Sequence, residues 1–230
     1  MSQNCSADLI LEFINSFGIP GRIPREISVL EPWKSEEALK VCTLFYRKYY
    51  SDNIKRIAIF GINPGRFGGG QTGIPFTDPV RLLKACGIEN PFSPKPELSS
   101  DFVYRVIHGF GGPERFYSKF FITSVCPVGF TKNGINLNYY DAPALIKKVQ
   151  QLLPLWIEQQ FEIGLHEDLC FCLGEGKNFD FFKMMNEKHK WFKTIVPLPH
   201  PRFIMQYRRK RIEEFTEMYL SHFETAAGKI

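Results

Sequence analysis

Ile57-Ala58-Ile59-Phe60-Gly61-Ile62-Asn63-Pro64-Gly65-Arg66-Phe67-Gly68-Gly69-Gly70-Gln71-Thr72-Gly73-Ile74-Pro75-Phe76 is the most informative stretch of this chain. Its first four residues are apolar and uncharged, two of them β-branched, which reads as a buried strand over 57–62. Where that strand should end, an Asn opens a loop rich in glycine and punctuated by proline. Glycines gather where backbone must pass close to something flat or charged. The loop is therefore the first candidate for a functional site.

Working outward, the same logic finds three more strands: Phe120–Val125, Leu169–Leu173 and Phe192–Val196. Helical spacing of apolar residues runs from Leu9 to Phe17, where Gly18 and Pro20 stop it. Ser35 followed by Glu36 and Glu37 opens a helix to about Tyr50, and Asp78-Pro79 caps another that ends near Gly87. Further helices are expected from Asp101 to Phe110, from Asp141 with Pro143 to Gln160, and after Gly174-Glu175-Gly176 through Met185. A last helix, basic at its start, runs to about Phe223, and residues 88–98 form a proline-rich loop.

Short strands alternating with helices indicate an α/β fold, a three-layer αβα sandwich with a central, mainly parallel four-stranded sheet. No internal repeat or low-complexity linker interrupts residues 1–230, so one domain is expected. Ligands of such sheets bind beyond the carboxyl ends of the strands. Asn63, Cys126-Pro127 with Asn136, Gly174 and His200 follow the four strands in turn, so residues far apart in sequence are expected to share one cleft.

Composition narrows the class. Apolar residues are 44% and charged residues 23% of 230, as in ordinary globular proteins, and the net charge of +5 fits a phosphate-bearing partner without requiring one. No apolar run approaches the roughly 20 residues that cross a bilayer, and the N-terminus has no basic region followed by an apolar core. The six cysteines include no C-x-x-C pair, so reduced buried thiols in a cytoplasmic protein are expected, and no metal or other cofactor.

The motifs resemble a known family. Gly61-x-Asn63-Pro64-Gly65-x-Phe67-Gly68-x-x-Gln71-Thr72-Gly73-x-Pro75-Phe76 resembles the first motif of the single-strand-selective monofunctional (SMUG-type) uracil-DNA glycosylases. Cys126-Pro127 with Gly134-Ile135-Asn136-Leu137 resembles their middle pocket segment, and His200-Pro201-Arg202 their second catalytic motif. That motif typically reads His-Pro-Ser-Pro-Arg; here it is shortened and followed by Phe203-Ile204-Met205-Gln206-Tyr207, which suggests a divergent, bacterial branch.

The resemblance implies a monofunctional DNA glycosylase. It would flip a damaged base out of the stack and hydrolyse its N-glycosidic bond at the start of base excision repair. Uracil is the first candidate substrate and 5-hydroxymethyluracil a second, since Gly65 would leave room near C5. Asn63 and His200 would be catalytic: the amide orients the attacking water, being too weak a base to deprotonate it, and the neutral imidazole donates to the departing base oxygen. Gly61, Ile62, Pro64, Gly65, Phe67, Gln71, Phe76, Cys126 and Asn136 would form the base pocket. Phe76 would stack on the base and Asn136 read its edge, with Asn138 an alternative reader. Arg202, Phe203 and Tyr207 would contact DNA as a wedge, and Arg208, Arg209, Lys210 and Arg211 would meet phosphates. The implied partner is DNA containing uracil or other damaged bases, bound by a monomer that is cytoplasmic and nucleoid-associated when on DNA.

Other readings stay open. A deaminated purine, xanthine or hypoxanthine, would use the same residues. Gly65-x-x-x-x-Gly70-Gln71-Thr72 has P-loop spacing but carries Gln where the phosphate-binding Lys belongs. A non-catalytic nucleic-acid-binding module would keep the basic residues and aromatics, yet has no use for Asn63 and His200 together.

Overall fold

The computed structural model describes residues 4–230. In chain order its elements are α1 (Ser6–Ser16), β1 (Ile27–Leu30), α2 (Glu36–Tyr49), β2 (Arg56–Gly61), α3 (Gly69–Thr72), α4 (Pro79–Lys84), α5 (Leu98–Gly109), α6 (Pro113–Lys119) and β3 (Phe120–Ser124). They continue with β4 (Gly129–Lys132), β5 (Ile135–Leu137), α7 (Pro143–Glu162), β6 (Leu165–Leu173), α8 (Lys177–His189), β7 (Thr194–Leu198), α9 (Pro201–Tyr207) and α10 (Ile212–Ala227).

Four strands form a wholly parallel sheet in the order β3-β2-β6-β7. Every residue of β2 and β3 is buried, as strands covered on both faces must be. On one face Phe120 and Phe171 pack against Phe116 of α6 and Phe223 of α10. On the other, Phe60 meets Phe182 of α8 at 4.7 Å and Phe121 meets Tyr50 at the end of α2 at 5.8 Å. These layers make the αβα sandwich expected from the strand–helix alternation. The chain leaves β2 for the edge strand β3, then crosses back to β6 on the opposite side of β2. That reversal of direction opens a crevice at the carboxyl ends of the strands.

The structure corrects the predicted elements in three places. Residues 27–30, 129–132 and 135–137 form a second, antiparallel sheet in the order β1-β4-β5. Its strands are only 3 or 4 residues long, too short to show a period. Residues 113–119 are helical, with Pro113 in the first turn. Residues 201–207 are helical as well, α9 beginning directly after His200, and the last helix starts later than expected: the basic run 208–211 is an exposed turn ahead of α10, not its first turn.

Candidate active site

The loop after β2 carries Asn63, half-buried and bonded at both ends of its amide. Its Oδ1 accepts from the Tyr139 backbone N–H at 3.0 Å, and its Nδ2 donates to the carbonyls of Leu137 at 3.1 Å and Pro64 at 3.3 Å. A backbone donor faces one end and carbonyls the other, so the orientation of the amide is determined.

The β4–β5 hairpin brings a second amide to the same place. Asn133 and Gly134 both hold positive φ, 50° and 72°, as a two-residue hairpin turn requires. The turn swings Asn136 over the glycine loop, where its Oδ1 accepts from the Arg66 N–H at 3.1 Å. Its Nδ2 lies over Gly65: a Cβ there would stand 3.0 Å from it. The room expected at Gly65 is thus the seat of the Asn136 amide. The Arg66 guanidinium donates to the Gly134 carbonyl and lies 4.3 Å from the Phe67 ring, tying loop to hairpin.

Phe76 ends the loop in the left-handed region, at φ 52°, which a bulky side chain rarely adopts. A buried network holds it there. The Ser100 hydroxyl donates to the Phe76 carbonyl at 2.5 Å and accepts from the Asp78 N–H at 2.9 Å. Asp78 in turn accepts from the Glu97 and Arg81 N–H groups, both at 2.8 Å, joining the starts of α4 and α5. Gly61 makes space for the ring, since a Cβ there would fall 2.9 Å from it.

His200 follows β7 as the N-cap of α9. Its Nδ1 accepts from the Arg202 N–H at 3.1 Å, so a neutral ring carries its proton on Nε2. Burial, with a contribution from the Arg202 charge, pushes its pKa down to about 4. The ring is therefore neutral at pH 7, and its centroid lies 5.9 Å from that of Phe76.

Asn63, Phe76, Asn136, Asn138 and His200 all line one cleft of about 800 Å³. Ile62, Pro64, Gly65, Phe67, Arg202, Phe203 and Tyr207 line it too. Of the other expected residues, Gly61 acts beneath Phe76. Gln71 and the fully buried Cys126 lie outside the wall; the Cys126 thiol donates to the Val128 carbonyl at 3.3 Å. Arg208, Arg209 and Lys210 are exposed beyond the rim, in no ion pair among the described residues, whereas Arg211 is paired with Glu214.

Two features of the cleft were not expected from the sequence. Phe is the chain's most abundant aromatic, at 22 residues, yet only Phe67, Phe203 and Tyr207 among the described aromatics are exposed, and all three line this cleft. Glu97 is its one carboxylate; burial raises its pKa, and its Oε2 caps α5 by accepting from the Ser100 N–H at 3.3 Å. Among the described residues no three His, Cys, Asp or Glu side chains are grouped to hold a metal ion, and no helix is long and apolar enough to cross a membrane.

A profile of the uracil DNA glycosylase superfamily matches residues 47–224. The chain is 28% identical over 128 residues to the single-strand selective monofunctional uracil DNA glycosylase of Mus musculus. It is 31% identical over 128 residues to the corresponding protein of Rattus norvegicus. Each match covers 48% of this chain and 45% of the relative, so less than half the length of these relatives is represented. The crystal structure of wild-type SMUG2 from Pedobacter heparinus superposes with a TM-score of 0.93 at 43% identity, covering 97% of this chain and 98% of that one. With the superfamily profile matching most of its length and that structure matching nearly all of it, this chain belongs to the uracil DNA glycosylase superfamily, in its SMUG-type branch.

Proposed function

We propose that this chain is a monofunctional DNA glycosylase that takes a flipped, deaminated base into the cleft and hydrolyses its N-glycosidic bond. The observation that carries the reading is the state of His200. Its Nδ1 is filled by a backbone N–H and its pKa lies well below neutrality, which leaves a neutral Nε2–H donor on a ring that lines the same cleft as Asn63. As the bond breaks, its electron pair goes to the base, and Nε2–H stabilises the charge gathering on the base oxygen. One preorganised donor of this kind contributes about 2.7–4 kcal/mol to such steps. The sugar cation is met by a water whose O–H donates to Asn63 Oδ1. The water oxygen bonds to C1′, its proton passes to solvent, and the released base takes up a proton from solvent. The amide orients the water without accepting its proton.

Base choice rests on Phe76 and Asn136. The Phe76 ring offers a face for stacking. Because Asn136 Oδ1 is engaged by Arg66 N–H, its Nδ2 is the group left to read a base edge, and it calls for an acceptor. Uracil offers O4 there, whereas cytosine offers an amino group. A C5 substituent, as in 5-hydroxymethyluracil, would have to share space with that amide. A deaminated purine is the second reading. The cleft stands toward the upper end of the about 300–1,000 Å³ of small-molecule pockets, and xanthine and hypoxanthine also present a carbonyl. On the rim, Arg202, Phe203 and Tyr207 would fill the vacated stack, and Arg208, Arg209 and Lys210 would meet phosphates. The protein would act as one domain, a monomer, on DNA in the cytoplasm; the free cysteines fit a reducing compartment.

Base release from oligonucleotides carrying uracil opposite G, uracil opposite A, single-stranded uracil, 5-hydroxymethyluracil, xanthine, hypoxanthine or thymine tests this. Uracil release that collapses in Asn63→Ala and His200→Ala supports the reading. Release of a purine lesion alone changes the substrate and keeps the chemistry. DNA binding with no release from any lesion overturns the enzyme.

A further inference from the structure

An amide has two donor hydrogens and two acceptor lone pairs. At Asn63 three of the four are engaged by backbone: both hydrogens by Leu137 and Pro64, and one lone pair by Tyr139. One lone pair of Oδ1 remains. Whether it faces a water therefore depends on where the segment carrying Leu137 and Tyr139 is held.

That segment leaves the hairpin after the Phe130–Leu137 pair and enters α7 only at Pro143. Tyr139 ties it to the central sheet. Its side chain is wholly buried, and its phenol donates to Asn178 Oδ1 at 2.9 Å. Asn178 is itself buried in the first turn of α8, and its Nδ2 donates to the Leu173 carbonyl and the Cys172 sulfur, both at 3.3 Å, at the end of β6. The Tyr139 ring also packs against Phe181 of α8 at 5.2 Å. An unbroken series of hydrogen bonds and one short piece of backbone thus runs from β6 through Asn178 and Tyr139 to the Asn63 amide.

We infer that Tyr139 is a positioning residue for hydrolysis, its phenol anchored on Asn178 so that its backbone N–H fixes the free lone pair of Asn63 toward the attacking water. The inference rests on the glycosylase reading of the cleft. A buried tyrosine with a satisfied hydroxyl is common in cores. Tyr139 differs in that its own N–H is the donor that orients Asn63, so movement of the anchor moves the amide.

The test uses the full chain, single-turnover uracil release from a single-stranded oligonucleotide, and DNA affinity measured separately. Tyr139→Phe keeps the ring and removes the anchor. It is expected to lower the rate roughly tenfold with DNA affinity unchanged. In an Asn63→Ala background the same change is expected to have no further effect, because there is no amide left to orient. Asn178→Ala, which removes the oxygen the phenol reaches, is expected to lose rate as Tyr139→Phe does, and again only where Asn63 is present. A second readout is independent of turnover: solvent exchange of the Asn63 side-chain NH₂ by NMR, expected to quicken in Tyr139→Phe. Unchanged exchange, or an equal rate loss with and without Asn63, would overturn the positioning role. A wild-type chain that releases no base defeats the glycosylase reading, while the exchange experiment still decides whether Tyr139 fixes Asn63. If Tyr139→Phe does not fold, Asn178→Ala with and without Asn63 carries the comparison.

Discussion

The floor of the cleft and its outer rim are built on opposite plans. On the floor, the Asn63 amide makes three backbone hydrogen bonds, Phe76 is held in a left-handed conformation by Ser100, and His200 is pinned by the first turn of its own helix. On the rim, Phe203 and Tyr207 lean on each other at 5.7 Å, with Arg208 5.2 Å from the Phe203 ring, and all three are exposed. The floor is preorganised and needs no rearrangement at the moment of reaction. The rim presents exposed aromatic faces and charges, the groups suited to meet a polyanion. On the proposed function, bond breaking and DNA capture fall to different parts of one cleft, and mutations should separate them.

The largest effect is expected at His200. His200→Ala should lower single-turnover base release by about 10²–10³-fold, the worth of one preorganised donor, and leave DNA affinity near wild type. A comparable loss of affinity would erase the distinction between floor and rim.

The Phe76 support comes next. Ser100→Ala removes a buried partner from both the Asp78 N–H and the Phe76 carbonyl, and should cost about 1–3 kcal/mol of stability, read from the denaturant midpoint. Base release should fall as well, since Phe76 is no longer held in its left-handed conformation. A stable variant with full activity would show that the ring is held by packing alone.

Just beyond the rim, replacing Arg208, Arg209 and Lys210 together by Ala should weaken binding to all DNA sequences alike. For each phosphate no longer neutralised, the salt dependence should flatten by about 0.7 for single strands and about 0.9 for duplex. The rate at saturating enzyme should not change. Glu97→Gln is the smallest step: it keeps a capping oxygen for the Ser100 N–H and removes the carboxyl from the cleft. DNA affinity should rise a few-fold at low salt and little at high salt.

Acid sharpens the comparison further. The unfolded chain takes up a proton at its histidines near the ordinary value of 6.5, while folded His200 resists protonation down to about 4. Its contribution to stability is therefore complete above about 6.5, declines as pH falls toward about 4, and changes no further below that. Base release at saturating enzyme should hold its rate from pH 8 to about 5 as far as His200 is concerned, because the Nε2–H donor stays neutral across that range. A rate that titrates near 6.5 in the wild type and not in His200→Gln would place His200 in a more exposed state than its setting indicates.

The sheet and the convergence of Asn63 with His200 were legible because both rest on local signals. An apolar strand followed by Asn-Pro-Gly, and a strand followed by His-Pro, each state where a strand ends. The β4–β5 hairpin was missed, although Asn133-Gly134 is the strongest short hairpin signal there is; flanking strands of 4 and 3 residues hid it. The short helix α9 was missed because 7 residues between a strand and a basic run show too little of a helical period. Other features had no local signature. Two of the three bonds that hold Asn63 come from residues more than 70 positions away, and the exposure of Phe67, Phe203 and Tyr207 is a property of the assembled surface. The left-handed Phe76 is imposed by Ser100 from another helix, against its own preference.

The central claim is that the floor of this cleft performs the chemistry. Single-turnover release of uracil from one single-stranded oligonucleotide, by the wild type and by His200→Ala at saturating enzyme, tests it most directly. A rate about 10²–10³-fold lower in the variant, with DNA bound equally well by both proteins, is the result expected of a preorganised donor. Equal rates, or a deficit that vanishes once all the DNA is bound, would contradict it.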